Sequence, residues 1–169
     1  HSLSLLMSLY RSIPDANLGT HSGLWEKKKF KGLEIRGKNL GIIGFGNVGE
    51  RFAEIAIALG ITVSVYSESF ASRKKNYPNI FSLSLNDLIS QSDIISLHCK
   101  SPKNGNPIFS IKEFKLMKSN AVLINTARGN LINEKDLKEA LEKDIIRGAA
   151  IDVFREEPAK DNILFGTKN

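Results

Sequence analysis

The sequence predicts an α/β domain built on a doubly wound parallel sheet, three layers deep. Three observations point to it. Short apolar runs alternate with stretches of helical periodicity, and that alternation implies parallel strands joined by right-handed crossovers. The runs are apolar throughout, as in strands covered on both faces. A glycine-rich turn, Gly44-Phe45-Gly46-Asn47-Val48-Gly49, stands between the first run and the first periodic stretch after it.

The elements follow in order. His1 to Ile13 reads as a helix closed by Pro14, with Leu3, Leu5, Leu6, Met7, Leu9 and Ile13 leaving it almost no polar face. Such a helix must be buried, and packing on another domain or subunit is expected. Asn39 to Ile43 reads as a buried strand. Val48 to Leu59 carries Val48, Phe52, Ile55, Ala56 and Leu59 at helical spacing, and Gly60 supplies a C-terminal cap. Ile61 to Tyr66 is β-branched and reads as a strand. Ser84 to Ser90 and Ser110 to Lys118 read as helices, with capping-box spacing in Ser84/Asp87 and Ser110/Glu113. Asp93 to Cys99, Ala121 to Asn125 and Gly148 to Val153 complete the strands. Asn133 to Lys143 is an amphipathic helix.

Composition narrows the function classes. The 169 residues suit one domain: an N-terminal arm over 1–24 and a core over 38–158. No apolar run approaches the roughly 20 residues of a membrane span. Nor does the apolar start read as a signal peptide, since it lacks a basic leader and a cleavage site. The single Cys99 makes no internal disulfide, no Cys/His cluster suggests a metal, and a reducing cytoplasm fits. Net charge is +6, which raises a nucleic-acid module as one alternative. The basic residues are dispersed, and the groups Lys27 to Lys29 with Lys31 and Arg73 to Lys75 carry no aromatic residues arranged as a base-stacking platform. No nucleic-acid partner is expected.

The glycine turn carries the chemistry. Between a strand and a helix, GxGxxG is a dinucleotide fingerprint. Gly44 permits the tight turn, Gly46 lets backbone approach a pyrophosphate, and Gly49 lets helix and strand pack. The helix N-terminus at Asn47 and Val48 offers N–H groups and a favourable dipole to the anion. The next strand normally ends in an acid for the ribose hydroxyls. Here Ser67 occupies that place and Glu68 follows. Arg73, Lys74 and Lys75 follow a few residues on, either as solvated loop residues or as partners for a 2′-phosphate, whereas Glu68 argues for NAD. NAD is expected as cofactor, with NADP open.

Several segments together resemble the D-isomer-specific 2-hydroxyacid dehydrogenases, a family that includes D-3-phosphoglycerate dehydrogenases. They are Gly41 to Gly49, Asn125-Thr126-Ala127-Arg128-Gly129, Gly148 to Phe154 with Glu156-Glu157-Pro158, and Arg36-Gly37-Lys38 before the first strand. The resemblance covers essentially the whole chain and implies a Rossmann-type domain. It also implies roles. Arg128 grips the substrate carboxylate and carbonyl oxygen, for which a planar guanidinium fork is suited. Glu157, with Glu156 the neighbouring alternative, orients and raises the pKa of a catalytic histidine. Asp152 accepts from the nicotinamide carboxamide. Thr126 to Arg128 and His98, Cys99 and Lys100 line the ribose and nicotinamide side. The family reads His-x-Pro where this chain has His98-Cys99-Lys100, with proline displaced to Pro102.

The family's catalytic histidine follows the glutamate in a Pro-His-x-Gly segment. The histidines here are His1, His21 and His98, so that group is expected outside this chain, together with the substrate domain. Dinucleotide binding without turnover is expected of the chain alone. The resemblance also implies a homodimer, with the first helix at its interface. A small 2-hydroxy or 2-keto acid is the expected substrate, 3-phosphoglycerate among the candidates. The rival is a non-catalytic dinucleotide sensor like the corepressors that resemble this family.

Overall fold

The computed structural model describes residues 1–167, so Lys168 and Asn169 of the 1–169 unit lie outside the described residues. The chain opens with α1 (Ser2–Arg11) and α2 (Ile13–His21). A long connection then leads to β1 (Asn39–Ile43), α3 (Asn47–Ala58) and β2 (Thr62–Tyr66). Next come a two-residue strand β3 (Phe81–Ser82), α4 (Leu85–Gln91) and β4 (Ile94–Leu97). The remainder is α5 (Ile111–Leu116), β5 (Val122–Asn125), α6 (Glu134–Glu142) and β6 (Gly148–Ile151).

The six strands form one parallel sheet in the order β3-β2-β1-β4-β5-β6. That is the doubly wound order of a dinucleotide fold, in which the strand sequence reverses between β1 and β4 and opens a crevice at their C-terminal ends. The two faces bury different side chains because strand residues alternate sides. Leu40, Ile42, Val63, Val65, Ile94, Val122 and Ile124 point to a core shared with α1 and α3. Ile43, Ile95, Leu97 and Leu123 point to the other, with Leu88 of α4, Phe114 of α5 and Leu137 of α6. The predicted three layers are present.

Local chemistry sets the boundaries. α3 ends at Gly60, whose φ is 79°. The Gly60 N–H donates to Ile57 O and the Ile61 N–H to Ala56 O, the paired bonds of a Schellman motif. Ser84 accepts from the Asp87 N–H at 3.2 Å, and Ser110 with Glu113 forms a reciprocal capping box.

The first helix departs from expectation in two ways. Pro14 does not close it. Ser12 turns the chain in a left-handed conformation (φ 48°), and Pro14 sits in the first turn of α2, where its missing N–H costs nothing. Nor must another subunit bury α1. Ser2, Leu6 and Tyr10, spaced four apart on one face, are buried in this domain, and Leu6 and Tyr10 belong to the α3-side core.

Candidate functional site

The glycine turn sits at the crevice. β1 delivers Ile43 beside Tyr66 of β2 and Leu97 of β4, and the Gly44 N–H donates to Tyr66 O at 2.9 Å. Gly44 has φ 93°, and a Cβ there would come 2.6 Å from His98 O and 2.7 Å from Cys99 N. Only glycine fits. A Cβ on the buried Gly49 would strike Gly44 O, so this glycine lets α3 close onto the turn. Gly46 differs. Its backbone is extended (φ −89°), and a Cβ would meet nothing within 4 Å. The fold itself does not need this glycine, and the open space in front of it is where a ligand's phosphates would approach. Gly46 also caps α3 without a side-chain hydrogen bond, leaving the N–H groups at Asn47 and Val48 for an anion. The residues present therefore fit a dinucleotide pyrophosphate.

On the adenosine side, Ser67 follows β2 and its Oγ lies 3.1 Å from Ser69 Oγ. Glu68 is exposed. Arg73 is partly exposed but paired, its Nη1 donating to Glu50 Oε2 at 2.8 Å. The Tyr77 hydroxyl donates to the other oxygen, Glu50 Oε1, at 2.6 Å. Phe45 of the glycine turn packs edge-on against Phe70 and Tyr77, with ring centroids 4.9 and 5.3 Å apart. The segment after β2 is thus fastened over the turn. Sequence reasoning missed Glu50 and Tyr77, since their 27-residue separation leaves no periodic signal.

On the nicotinamide side, the His98 backbone N–H donates to Ile43 O at 2.8 Å, while its side chain turns inward. Nε2 lies 2.9 Å from Ser96 Oγ and the ring packs against Phe52. Burial pushes the imidazole pKa down to about 4, so the ring is neutral near pH 7. Burial also pushes the Cys99 thiol up, away from thiolate reactivity. Lys100 is exposed. Thr126 Oγ1 lies 2.9 Å from Ser2 Oγ, and Asp152 Oδ1 lies 3.0 Å from His1 Nε2. The start of α1 therefore rests on two candidate cofactor residues, a contact no local pattern announces.

Arg128 and Glu157 come together. Asn125, fully buried at the end of β5, donates from Nδ2 to Arg128 O (2.9 Å) and accepts from the Ala127 N–H (3.1 Å). It holds the turn that presents Arg128. A Cβ on Gly129 would collide with backbone atoms of Phe154 and Arg155, so the two loops lie nearly in contact. Glu157 Oε1 accepts from the Phe154 N–H at 2.9 Å. Arg128, Glu157, Ala127, Ser101, Asn130 and Phe154 line one cleft of about 390 Å³. Glu156 is exposed and does not line it. Another hollow, of about 360 Å³, lies at the opposite, N-terminal ends of β5 and β6 beside Val122, Arg147 and Gly148, and holds none of the candidate residues.

Residues 3–169 match the family described as D-isomer specific 2-hydroxyacid dehydrogenase, NAD binding domain. The D-3-phosphoglycerate dehydrogenase of Methanocaldococcus jannaschii is 37% identical over 169 residues, covering 99% of this chain and 32% of that protein. An acyclic imino acid reductase solved with NADPH and D-Arg superimposes with a TM-score of 0.89 at 38% identity, covering 99% of this chain and 53% of the other. The NAD-dependent formate dehydrogenase of Staphylococcus aureus, solved with NAD, gives 0.88 at 27% identity, covering 96% and 49%. The chain spans about a third of the phosphoglycerate dehydrogenases it matches.

Proposed function

This chain belongs to the D-isomer-specific 2-hydroxyacid dehydrogenase family as its NAD-binding domain, and from that premise we propose that it holds the cofactor of an oxidoreductase acting on a small 2-hydroxy or 2-keto acid. D-3-phosphoglycerate is the first candidate substrate, because relatives at 35–38% identity carry that activity in their names. The observation that carries the reading is the shared cleft. A guanidinium and a carboxylate 29 residues apart in sequence line one cleft at the C-terminal ends of β5 and β6, the end at which open α/β sheets bind ligands.

The bound nicotinamide supplies the hydride chemistry. The chain's own groups do the rest. Gly46, Asn47 and Val48 receive the pyrophosphate on backbone N–H groups. Glu68, beside Ser67, is the ribose partner, and Thr126, Ala127 and Asp152, with the His98 to Lys100 strand end, line the nicotinamide side. Arg128 releases Ala127 O, to which its Nη1 now donates at 2.6 Å, and clamps a carboxylate with two parallel bonds. Glu157 orients the proton-donating histidine, a group supplied from outside this chain along with the substrate domain. Arg128 and Glu157 in one cleft favour the enzyme over a cofactor sensor. The unit reads as one domain with a 38–158 core and a 1–24 arm, working in the cytoplasm.

The arm supports a homodimer. Leu18 in the arm and Trp25 just beyond it are 67% and 84% exposed, an apolar display that suits an isologous interface. Light scattering at micromolar concentration should return twice the chain mass, and a monomer would remove that part of the proposal.

The primary test is titration with NADH, following reduced-nicotinamide fluorescence. Saturable binding that is lost in Gly46→Val is expected. No binding of either NADH or NADPH would refute the reading. Solved relatives carry NADPH in one case and NAD in another, so the shared fold leaves that choice to residues near the adenosine 2′ oxygen.

A further inference from the structure

We propose that Glu50 sets the cofactor preference of this domain by holding Arg73 off the adenosine 2′ position. The proposal rests on the dinucleotide reading above. Ser67 stands where an acid would normally accept from the 2′-hydroxyl. A serine neither gives that charge-assisted bond nor repels a 2′-phosphate, so position 67 decides nothing by itself.

The decision falls to the charges around it. Arg73 is held by Glu50 at 2.8 Å. Arg51 is held by Glu54 at 2.7 Å. The Lys74 ammonium stands 6.0 Å from the Phe70 ring centroid. Glu68, the ribose partner proposed above, and Lys75 are exposed, so Glu68 can turn away from a 2′-phosphate and does not hold a cation from it. Arginine suits a phosphate because its fork makes two parallel bonds, and Arg73 is the arginine of the segment that follows β2.

Glu50 is well placed to keep it. It lies in the first turn of α3, fixed relative to the glycine turn. The Tyr77 hydroxyl orients its carboxylate from the far side at 2.6 Å, and that bond, together with desolvation and the Glu50 and Glu54 charges, raises the phenol pKa to about 12. Tyr77 is itself fastened against Phe45. For Arg73 to serve a 2′-phosphate it must leave a preorganised partner, or share its charge with a carboxylate that repels the incoming dianion. NADH makes no such demand.

Glu50→Gln keeps the shape and an oxygen for Tyr77 while removing the charge. Dissociation constants for NADH and NADPH, and for 5′-ADP and 2′,5′-ADP by calorimetry, provide the test. In the unsubstituted chain NADPH is expected to bind about tenfold more weakly than NADH. Glu50→Gln should tighten NADPH and 2′,5′-ADP about tenfold (about 1.4 kcal/mol) and leave NADH and 5′-ADP within about twofold. Arg73→Gln alone should change NADPH less than about threefold, and in the Glu50→Gln background it should erase the gain. If Glu50→Gln fails to fold, Tyr77→Phe must raise NADPH affinity in the same direction. A tenfold loss of NADPH binding in Arg73→Gln alone would overturn the proposal, because Arg73 would already be reading the phosphate. So would NADPH binding unchanged by Glu50→Gln. If NADH and 5′-ADP also fail to bind the unsubstituted chain, the dinucleotide reading falls, and this proposal with it.

Discussion

Gly129→Ala should destabilise the domain by about 3 kcal/mol, and the reason lies in backbone, not side chains. An added methyl would stand inside contact distance of the Phe154 carbonyl carbon and oxygen and of the Arg155 nitrogen. None of these atoms can rotate away. Overpacking against a rigid wall costs about 1–3 kcal/mol, and the upper end applies here. Displacing the 154–155 segment also strains two bonds, Phe154 N–H to Glu157 Oε1 at 2.9 Å and Arg155 N–H to Glu134 Oε1 at 3.0 Å. Each is worth roughly 1.5 kcal/mol, as a hydrogen bond to a charged group. Against this, alanine restricts the unfolded chain and returns about 0.4–1 kcal/mol. For a chain of 169 residues, 3 kcal/mol lowers Tm by about 6–12 °C. Thermal unfolding followed by circular dichroism measures it. A Tm within about 1 °C of the parent would mean that the 154–155 segment yields freely, and that close approach of the two loops does not build the cleft.

Gly46→Ala is the counterpart: with no atom within 4 Å of the new Cβ, stability should stay within about 0.5 kcal/mol, while NADH affinity falls at least about tenfold because the methyl intrudes on the phosphate approach. Fluorescence titration beside a melting curve separates the two effects. Asn125→Asp should cost about 1–3 kcal/mol, since the amide that donates to Arg128 O becomes an acceptor facing an acceptor. Urea unfolding would read it, and a neutral result would show that the turn does not depend on this bond. His98 should make the fold acid-sensitive. Its folded pKa of about 4 lies below the ordinary value of about 6.5, so the unfolded chain takes the proton first. Its contribution is complete above pH 6.5 and is lost as pH falls toward 4, by up to about 1.4 kcal/mol per unit and about 3 kcal/mol in all. Urea midpoints across that range should fall less steeply in His98→Gln, and parallel slopes would contradict the buried neutral ring.

The legible parts of this molecule were those with local causes. β1 runs over Asn39–Ile43 as its apolar stretch implies, and Gly60 ends α3 because a left-handed residue was needed there. Ser84 and Ser110 cap their helices as their spacing from Asp87 and Glu113 suggests. β3 escaped notice because two exposed residues, Phe81 and Ser82, have neither length nor a buried pattern. α2 was hidden by Pro14, which serves equally to end a helix or to begin one. The candidate site divides along the same line. The glycines, Arg128 and Glu157 sit in motifs. The Glu50–Arg73–Tyr77 cluster and the two contacts of α1 with Thr126 and Asp152 join residues far apart in sequence, and only the fold brings them together.

The docking of α1 has a bearing on how the chain is made. Leu6 and Tyr10 are buried in the α3-side core, which includes Val122 and Ile124 of β5, and Ser2 and His1 meet partners 124 and 151 residues downstream. During synthesis at roughly 5–20 residues per second, the apolar face of α1 leaves the ribosome on the order of 6–30 s before the residues it packs against. A nascent chain arrested before Val122 should therefore be cut readily by chymotrypsin at Tyr10, and one arrested well past Asp152 should resist. For that interval α1 is without the strands that later bury its apolar face.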